Sequence, residues 1–452
     1  MLLGTILLTG AGMISRILGF FYRIFLSRTI GASGLGLYQL IFPVFTLCLA
    51  ISASGIQTAI SRFVASSENK TRYLYAGLLL SLVLSGIFSV CIYITAPWIA
   101  SDILKEPRTE ELLRVMVYAL VPACVHSCFN GYYYGKKEST VPSACQITEQ
   151  LARVFGTLII YSVLSEQGLP LEPIHAVWGL VISELAGLLV NLTAYLFTSG
   201  QHTSDSCRHK YIEHSSIVEN TDFGHYSADM VSLLKSLGLM AIPLTLNHVL
   251  MTLSHSLENL LLPQQLVAYG YTSDEALAHF GILSGMALSV IFFPSAITNS
   301  LSVLLLPRIS ETKAKEDMCV VLDTIKGAVC CGVALGSLCT FLFLLSADWF
   351  GTIIFDNVLA GFYIRILSIL CPFMYTAILL SSIVNGLGHA TLTLICNLFG
   401  CAIRILAIWF LVPLYGMYAY IISMIVASVV TTVALLIVIK IKCHPSTKSS
   451  YT

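Results

Sequence analysis

Of the 452 residues, 56% are hydrophobic and 11% are charged, with a formal net charge of zero and a mean hydropathy of +0.84. A soluble domain is roughly one quarter charged, so this chain has less than half the usual means of facing water. A zero balance also supplies no field for nucleic acid or an acidic partner.

Apolar blocks such as 78–100, 157–164 and 419–439 run without interruption. Runs of about 20 apolar residues match a hydrocarbon core of ~30 Å at ~1.5 Å per helical residue. Only helices or closed barrels satisfy every backbone polar group in that core. Barrel strands would show alternating segments of about 10 residues, so the expected class is an all-α polytopic membrane protein. Its first apolar stretch is interrupted by Arg16 and Arg23 and is followed by no small-residue cleavage site, so no signal peptide is expected.

In chain order, twelve spans are expected near 2–27, 35–61, 74–98, 112–135, 141–163, 174–198, 236–260, 277–306, 321–346, 358–385, 390–412 and 416–440. The polar stretch 199–231 reads as a flexible linker. The expected organisation is a six-helix lobe at 1–198, the linker at 199–231, a second six-helix lobe at 232–442 and a tail at 443–452. One set of loops carries Arg62, Lys70, Arg72, Lys136, Lys137, Arg208, Lys210, Arg308, Lys313 and Lys315, and the tail adds Lys440, Lys442 and Lys448. The opposite set holds Arg28, Lys105, Arg108 and Arg114 beside many acids. The positive-inside rule makes the first set, and both termini, cytoplasmic.

The halves share features. Pro122, Asn130-Gly131 and Arg153 recur as Pro372, Asn385-Gly386 and Arg404, with spacings that differ by four or five residues. Parallel repeats of this kind imply two lobes around a central cavity, opened to one side at a time by rocking.

A charged side chain at helix centre costs about 2.5–3.5 kcal/mol on insertion scales. Arg16, Arg23, Arg153, Arg404, Glu149, Glu184 and Glu258 all fall within expected spans and each needs a cavity, a partner or a ligand. Gly12, Arg16, Gly19 and Arg23 recur along one stripe of the first helix. Two guanidinium groups on a glycine-lined face suit a polyanion such as a pyrophosphate; the alternatives are pairing with Glu184 or Glu258, or an Arg23 that snorkels outward. Glu149 and Arg153 are spaced i,i+4, acid first, as a structural ion pair. Arg404 has Gly400 where that acid would stand, and either faces the cavity or pairs across helices. Glu258, beside Asn259 on a helix bent by Pro243, is the candidate for a coupling cation, Na⁺ or H⁺. His126, His248, His255 and His279 show no ligand spacing and read as packing or interfacial residues. The 14 cysteines lie mostly in apolar runs, with no CxxC pair and no Cys/His metal spacing. No metal, no cofactor and no catalytic residue is expected.

The segments Gly12-Met-Ile-Ser15-Arg16-Ile-Leu-Gly19-Phe20-Phe-Tyr-Arg23, Arg28-Thr-Ile-Gly31-Ala-Ser-Gly34-Leu-Gly36-Leu-Tyr38 and Asn130-Gly131-Tyr-Tyr-Tyr-Gly135 through Glu149 and Arg153 resemble the stage V sporulation protein B group. That group lies in the multidrug/oligosaccharidyl-lipid/polysaccharide exporter superfamily, with the lipid II flippases. The resemblance covers essentially the whole chain. It implies a non-enzymatic, multi-pass transporter of the bacterial cell membrane, flipping undecaprenyl-pyrophosphate-linked precursors of peptidoglycan or polysaccharide, in this group for the spore cortex. Its partners would be the bilayer and a lipid-linked anionic oligosaccharide. Arg16 matches an arginine that lines the flippase cavity, whereas Arg23 is one residue out of step with the next. Lipid II flippases have two further helices, for which this chain has no room. Competing expectations are a cation-coupled drug exporter of the same superfamily, a membrane-embedded glycosyl transferase and a non-transporting scaffold.

Overall fold

A computed structural model describes residues 2–66, 70–210, 223–314 and 318–443, and these hold helices and no strand. Helix α1 is Leu2–Thr29, α2 Gly31–Ser66, α3 Lys70–Ile103, α4 Thr109–Gly135, α5 Thr140–Glu166 and α6 Pro173–Lys210. Then come α7 at Phe223–Tyr269, α8 at Ser273–Phe292, α9 at Ser295–Ala314, α10 at Val320–Ile354, α11 at Val358–Gly386, α12 at Ala390–Phe410 and α13 at Met417–Cys443. Among the described residues, eleven helical segments are long and apolar enough to cross a membrane. Helix α1, of 28 residues and about 42 Å, is outside that set, so eleven of the twelve expected spans are matched. The linker expected at 199–231 is partly helical, because α6 continues to Lys210 and α7 begins at Phe223. The rest of it, 211–222, and the tail beyond 443 lie outside the described residues.

Local chemistry sets the breaks. Gly31, at φ +72°, turns α1 into α2, a left-handed conformation that suits glycine. Thr272 caps α8: its hydroxyl accepts from the Glu275 N–H, and the Glu275 carboxylate accepts from the Thr272 N–H at 2.9 Å. Pro294 separates α8 from α9 within the eighth span, since proline cannot continue the hydrogen-bond ladder. Asn357 Oδ1 accepts from Ala360 N–H at 3.1 Å to start α11.

The chain divides into two compact units, one of residues 1–19 with 41–253 and the other of residues 20–40 with 254–452. The division therefore runs within α1 and α7. In the first unit Ile56, Ile60, Leu74, Phe129, Tyr133 and Leu237 form a continuous apolar core. In the second, Ile309, Ile325, Leu380, Ile383, Val384 and Leu435 do the same. Helices α2 and α8 meet backbone to backbone in the second unit: a Cβ on Gly36 would lie 2.1 Å from the Leu277 carbonyl oxygen.

The internal repeat has one register over three helices. Helices α3 and α10 both end in a π-type turn, Ile99–Ile103 and Phe350–Ile354, after Trp98 and Trp349. Left-handed residues follow at Lys105 (φ 57°) and Asp356 (φ 52°). The next N–H groups, of Glu106 and Asn357, return to Ala100 and Gly351 at 2.8 Å each. Helices α4 and α11 close alike, with Lys137 (φ 61°) matched by Gly388 (φ 82°). All these pairs are 251 residues apart, as are Cys145 with Cys396 and Arg153 with Arg404. The Asn-Gly pairs that the sequence suggested as equivalent are four residues out of this register; Gly386 matches Gly135 instead.

Candidate functional site

The intramembrane charges fall into three groups. In the second unit, Glu258 on α7 is 5% exposed and accepts two hydrogen bonds from Arg404 on α12, from Nε and Nη2 at 2.9 Å each. Tyr420 of α13 donates to the same carboxylate at 3.5 Å, and Arg404 Nη2 also reaches Cys401 Sγ at 3.2 Å. A bidentate guanidinium–carboxylate pair is the strong form of such a contact. Of the two readings open for Arg404, facing the cavity or pairing across helices, the structure shows the pairing, and the partner is Glu258, the residue expected to take a cation. Asn259 is half-buried beside it.

The first unit holds a larger cluster. Arg153 on α5, expected as the intrahelical partner of Glu149, makes hydrogen bonds across to α6, to Ser183 Oγ at 3.1 and 3.2 Å and to Glu184 at 3.5 Å. Glu184 also lies 2.8 Å from His126 Nε2 of α4. Glu149 sits on the other side of that ring, 3.5 Å from Nδ1, and accepts from Cys145 Sγ at 2.9 Å. Asn191 Nδ2 donates to the same sulfur at 3.0 Å. Gly187 makes the room: a Cβ there would stand 2.5 Å from Glu149 Oε1. His126 and Cys145 with Glu149, and His255 and Cys401 with Glu258, each bring three ligand-type atoms within 4.8 Å. Hydrogen bonds already engage the carboxylate in both, and we assign a metal to neither.

Helix α1 carries the third group. Its small residues face α5: a Cβ on Gly12 would lie 4.0 Å from the Gln146 amide nitrogen, and one on Gly19 3.7 Å from the Gln150 amide oxygen. Ser15 Oγ bonds the Gln146 carbonyl at 3.3 Å. Arg16 is exposed. In the second unit, Arg23 Nη1 donates to Ser289 Oγ at 2.6 Å, and Arg28 bonds the Ile353 and Ile354 carbonyls at the end of α10.

Sequence reasoning assigned His126 to packing and overlooked Gln146 and Gln150. The signal for the glutamines was their i,i+4 spacing on α5, in step with Glu149 and Arg153. For His126 no signal exists along the chain, because its partners come from two other helices.

The sequence pattern of a family described as polysaccharide biosynthesis protein matches residues 1–313. Stage V sporulation protein B of Bacillus subtilis (strain 168) is 26% identical over 407 residues, covering 89% of this chain and 76% of its own. Lipid II flippase MurJ of the same organism is 30% identical over 208 residues, 42% of this chain and 38% of its own. Among solved structures, a lipid II flippase MurJ in an inward closed conformation superposes with a TM-score of 0.69 at 14% identity, covering 96% of this chain and 87% of that one. An inward-facing multidrug resistance transporter of the MATE family, in the MOP superfamily, gives a TM-score of 0.64 at 15% identity, covering 97% and 96%. At such identities the two structures show a shared fold.

Proposed function

The chain belongs to the polysaccharide biosynthesis protein family, and on that premise we propose that it is a flippase carrying a lipid-linked anionic oligosaccharide across the bacterial cell membrane. The observation that carries this reading is the setting of Arg16. It stands about 21 Å from the start of α1, deep in a membrane-spanning helix, with its side chain exposed and its glycine neighbours turned toward the Gln146 and Gln150 amides. A guanidinium on the same helix as those glycines offers a pyrophosphate its charge, and the amides offer a sugar hydrogen bonds. Arg153 and Arg404 are engaged with glutamates and hold helices together.

The names of the relatives, a sporulation protein and a lipid II flippase, support undecaprenyl-pyrophosphate-linked peptidoglycan or polysaccharide precursors as the cargo, with the spore cortex as one destination. We take both termini as cytoplasmic from the loop charges, and a cation gradient, Na⁺ or H⁺, as the driving force. No bond is made or broken.

The test is flipping of a fluorescent undecaprenyl-pyrophosphate disaccharide by the purified protein in liposomes, under imposed Na⁺ and H⁺ gradients, beside Arg16→Ala and Arg16→Lys. Transport by wild type, its loss in the alanine variant and partial retention in the lysine variant are expected. A folded protein that moves no lipid but exports organic cations would overturn the lipid substrate in favour of a drug exporter.

A further inference from the structure

The 251-residue register isolates what distinguishes the two halves. Cys145 and Arg153 have counterparts of the same type in Cys396 and Arg404, whereas His126 corresponds to Ala377 and Glu149 to Gly400. These two polar groups of the first half lie side by side, Nδ1 of His126 being 3.5 Å from Oε1 of Glu149.

Charge balance follows from that difference. In the second unit one carboxylate, Glu258, meets one guanidinium, Arg404, and the pair is neutral. In the first unit two carboxylates, Glu149 and Glu184, surround the His126 imidazole, and one guanidinium, Arg153, meets Glu184. With the imidazole neutral, these four side chains together carry one net negative charge, which low-dielectric surroundings disfavour. A single proton removes it.

The geometry also shows where the proton goes. His126 is 8% exposed, and Nε2 at 2.8 Å is placed to donate to Glu184 Oε2. The lone pair of Nδ1 then points toward a carboxylate oxygen, and this buried nitrogen makes no hydrogen bond. Two acceptors opposed in this way become a hydrogen-bonded pair once a proton lies between them.

We propose that His126 and Glu149, with Glu184 behind the imidazole and Arg153 fixing Glu184, form a site that binds one exchangeable proton. Tyr134 of α4 also faces this cluster; α5 adds Cys145, Glu149 and Arg153, α6 adds Glu184, and α1, packed against α5 along Gly12 and Gly19, carries Arg16. Binding turns the imidazole into an imidazolium that donates from Nδ1 to Glu149 and from Nε2 to Glu184; release returns the proton to water and restores the negative charge. The proton's use as driving ion rests on the flippase reading, but its binding does not.

The experiment is the melting temperature of the full-length protein in detergent between about pH 5 and 9, a range that contains histidine's ordinary charge change, for wild type and Glu149→Gln. A bound proton stabilises the fold at low pH, so wild type should lose stability as pH rises, and Glu149→Gln, already neutral, should lose that slope. Infrared difference spectra over the same pH change should show a histidine and carboxylate signal that is absent from Glu149→Gln. Equal pH slopes and equal spectra in the two proteins would overturn the site. A slope abolished by adding Na⁺ at fixed ionic strength would also overturn it, in favour of a sodium site. A titrating wild type that moves no lipid in the liposome assay would leave the proton site standing and remove the flippase.

Discussion

Arg153 and Arg404 stand 251 residues apart, and each guanidinium reaches a glutamate of another helix, Glu184 on α6 and Glu258 on α7. The arginine is common to the two halves, while its acid arrives from a different neighbour in each. Each unit thus uses the same residue of its repeat to tie helices together, and the acids have separate positions in the repeat.

The second pair is the better test of that structural role, because its bonds are the shorter. Breaking one partner of a buried pair costs about 3–5 kcal/mol, since the other charge is left uncompensated. Glu258→Gln and Arg404→Leu should each lower the melting temperature strongly. The double variant should recover much of the loss, because it strands no charge. A double variant as unstable as the sum of the singles would show that the pair is worth more than its mutual neutralisation.

Gly187 tests the room made for Glu149. Its missing Cβ would lie 2.5 Å from Glu149 Oε1, and overpacking of this kind costs about 1–3 kcal/mol. Gly187→Ala should therefore destabilise the protein, whereas Gly86→Ala, with nothing within 4 Å of the added carbon, should be neutral or gain up to about 1 kcal/mol in helix propensity. Melting curves of the two variants compared with wild type check the sign of each.

The helices were legible in the sequence because hydropathy blocks and loop charges act locally. What the chain could not show was which helix packs on which. Glu149 and Arg153 suggested each other by their i,i+4 spacing, yet the guanidinium bonds across to α6. Glu258 and Arg404 are 146 residues apart, and no periodicity links them. His126 read as a lone packing histidine because its two carboxylates come from α5 and α6. The repeat was visible but misaligned, since its register is marked by π-type turns and left-handed residues rather than by the conspicuous Asn-Gly pairs.

The contact between α2 and α8 has no side chain at its closest point. A Cβ on Gly36 would fall 2.1 Å from the Leu277 carbonyl oxygen, and one on Gly281 2.2 Å from that of Ala32. Neither obstacle is a flexible side chain that can turn away. Gly36→Ala or Gly281→Ala should force the helices apart and cost more than Gly187→Ala, read as a lower melting temperature and faster proteolysis of the second unit.

The repeat register makes a demand on topology that loop charges alone do not. Six spans separate the turn at Lys105 from the turn at Asp356, an even number, so the two must open on the same side of the membrane. The same holds for Lys137 and Gly388. The charge bias puts the first two outside and the last two inside, with Lys440 and Lys442 in the final turn of α13 also inside. Epitope tags inserted after Lys105 and Asp356 should be reached by antibody on intact spheroplasts, and tags after Lys137 and Gly388 only after permeabilisation. A fluorescent protein that matures in the cytoplasm should glow at the C-terminus. All four tags reversed together would overturn the orientation and keep the repeat; Lys105 and Asp356 on opposite sides would overturn the repeat itself.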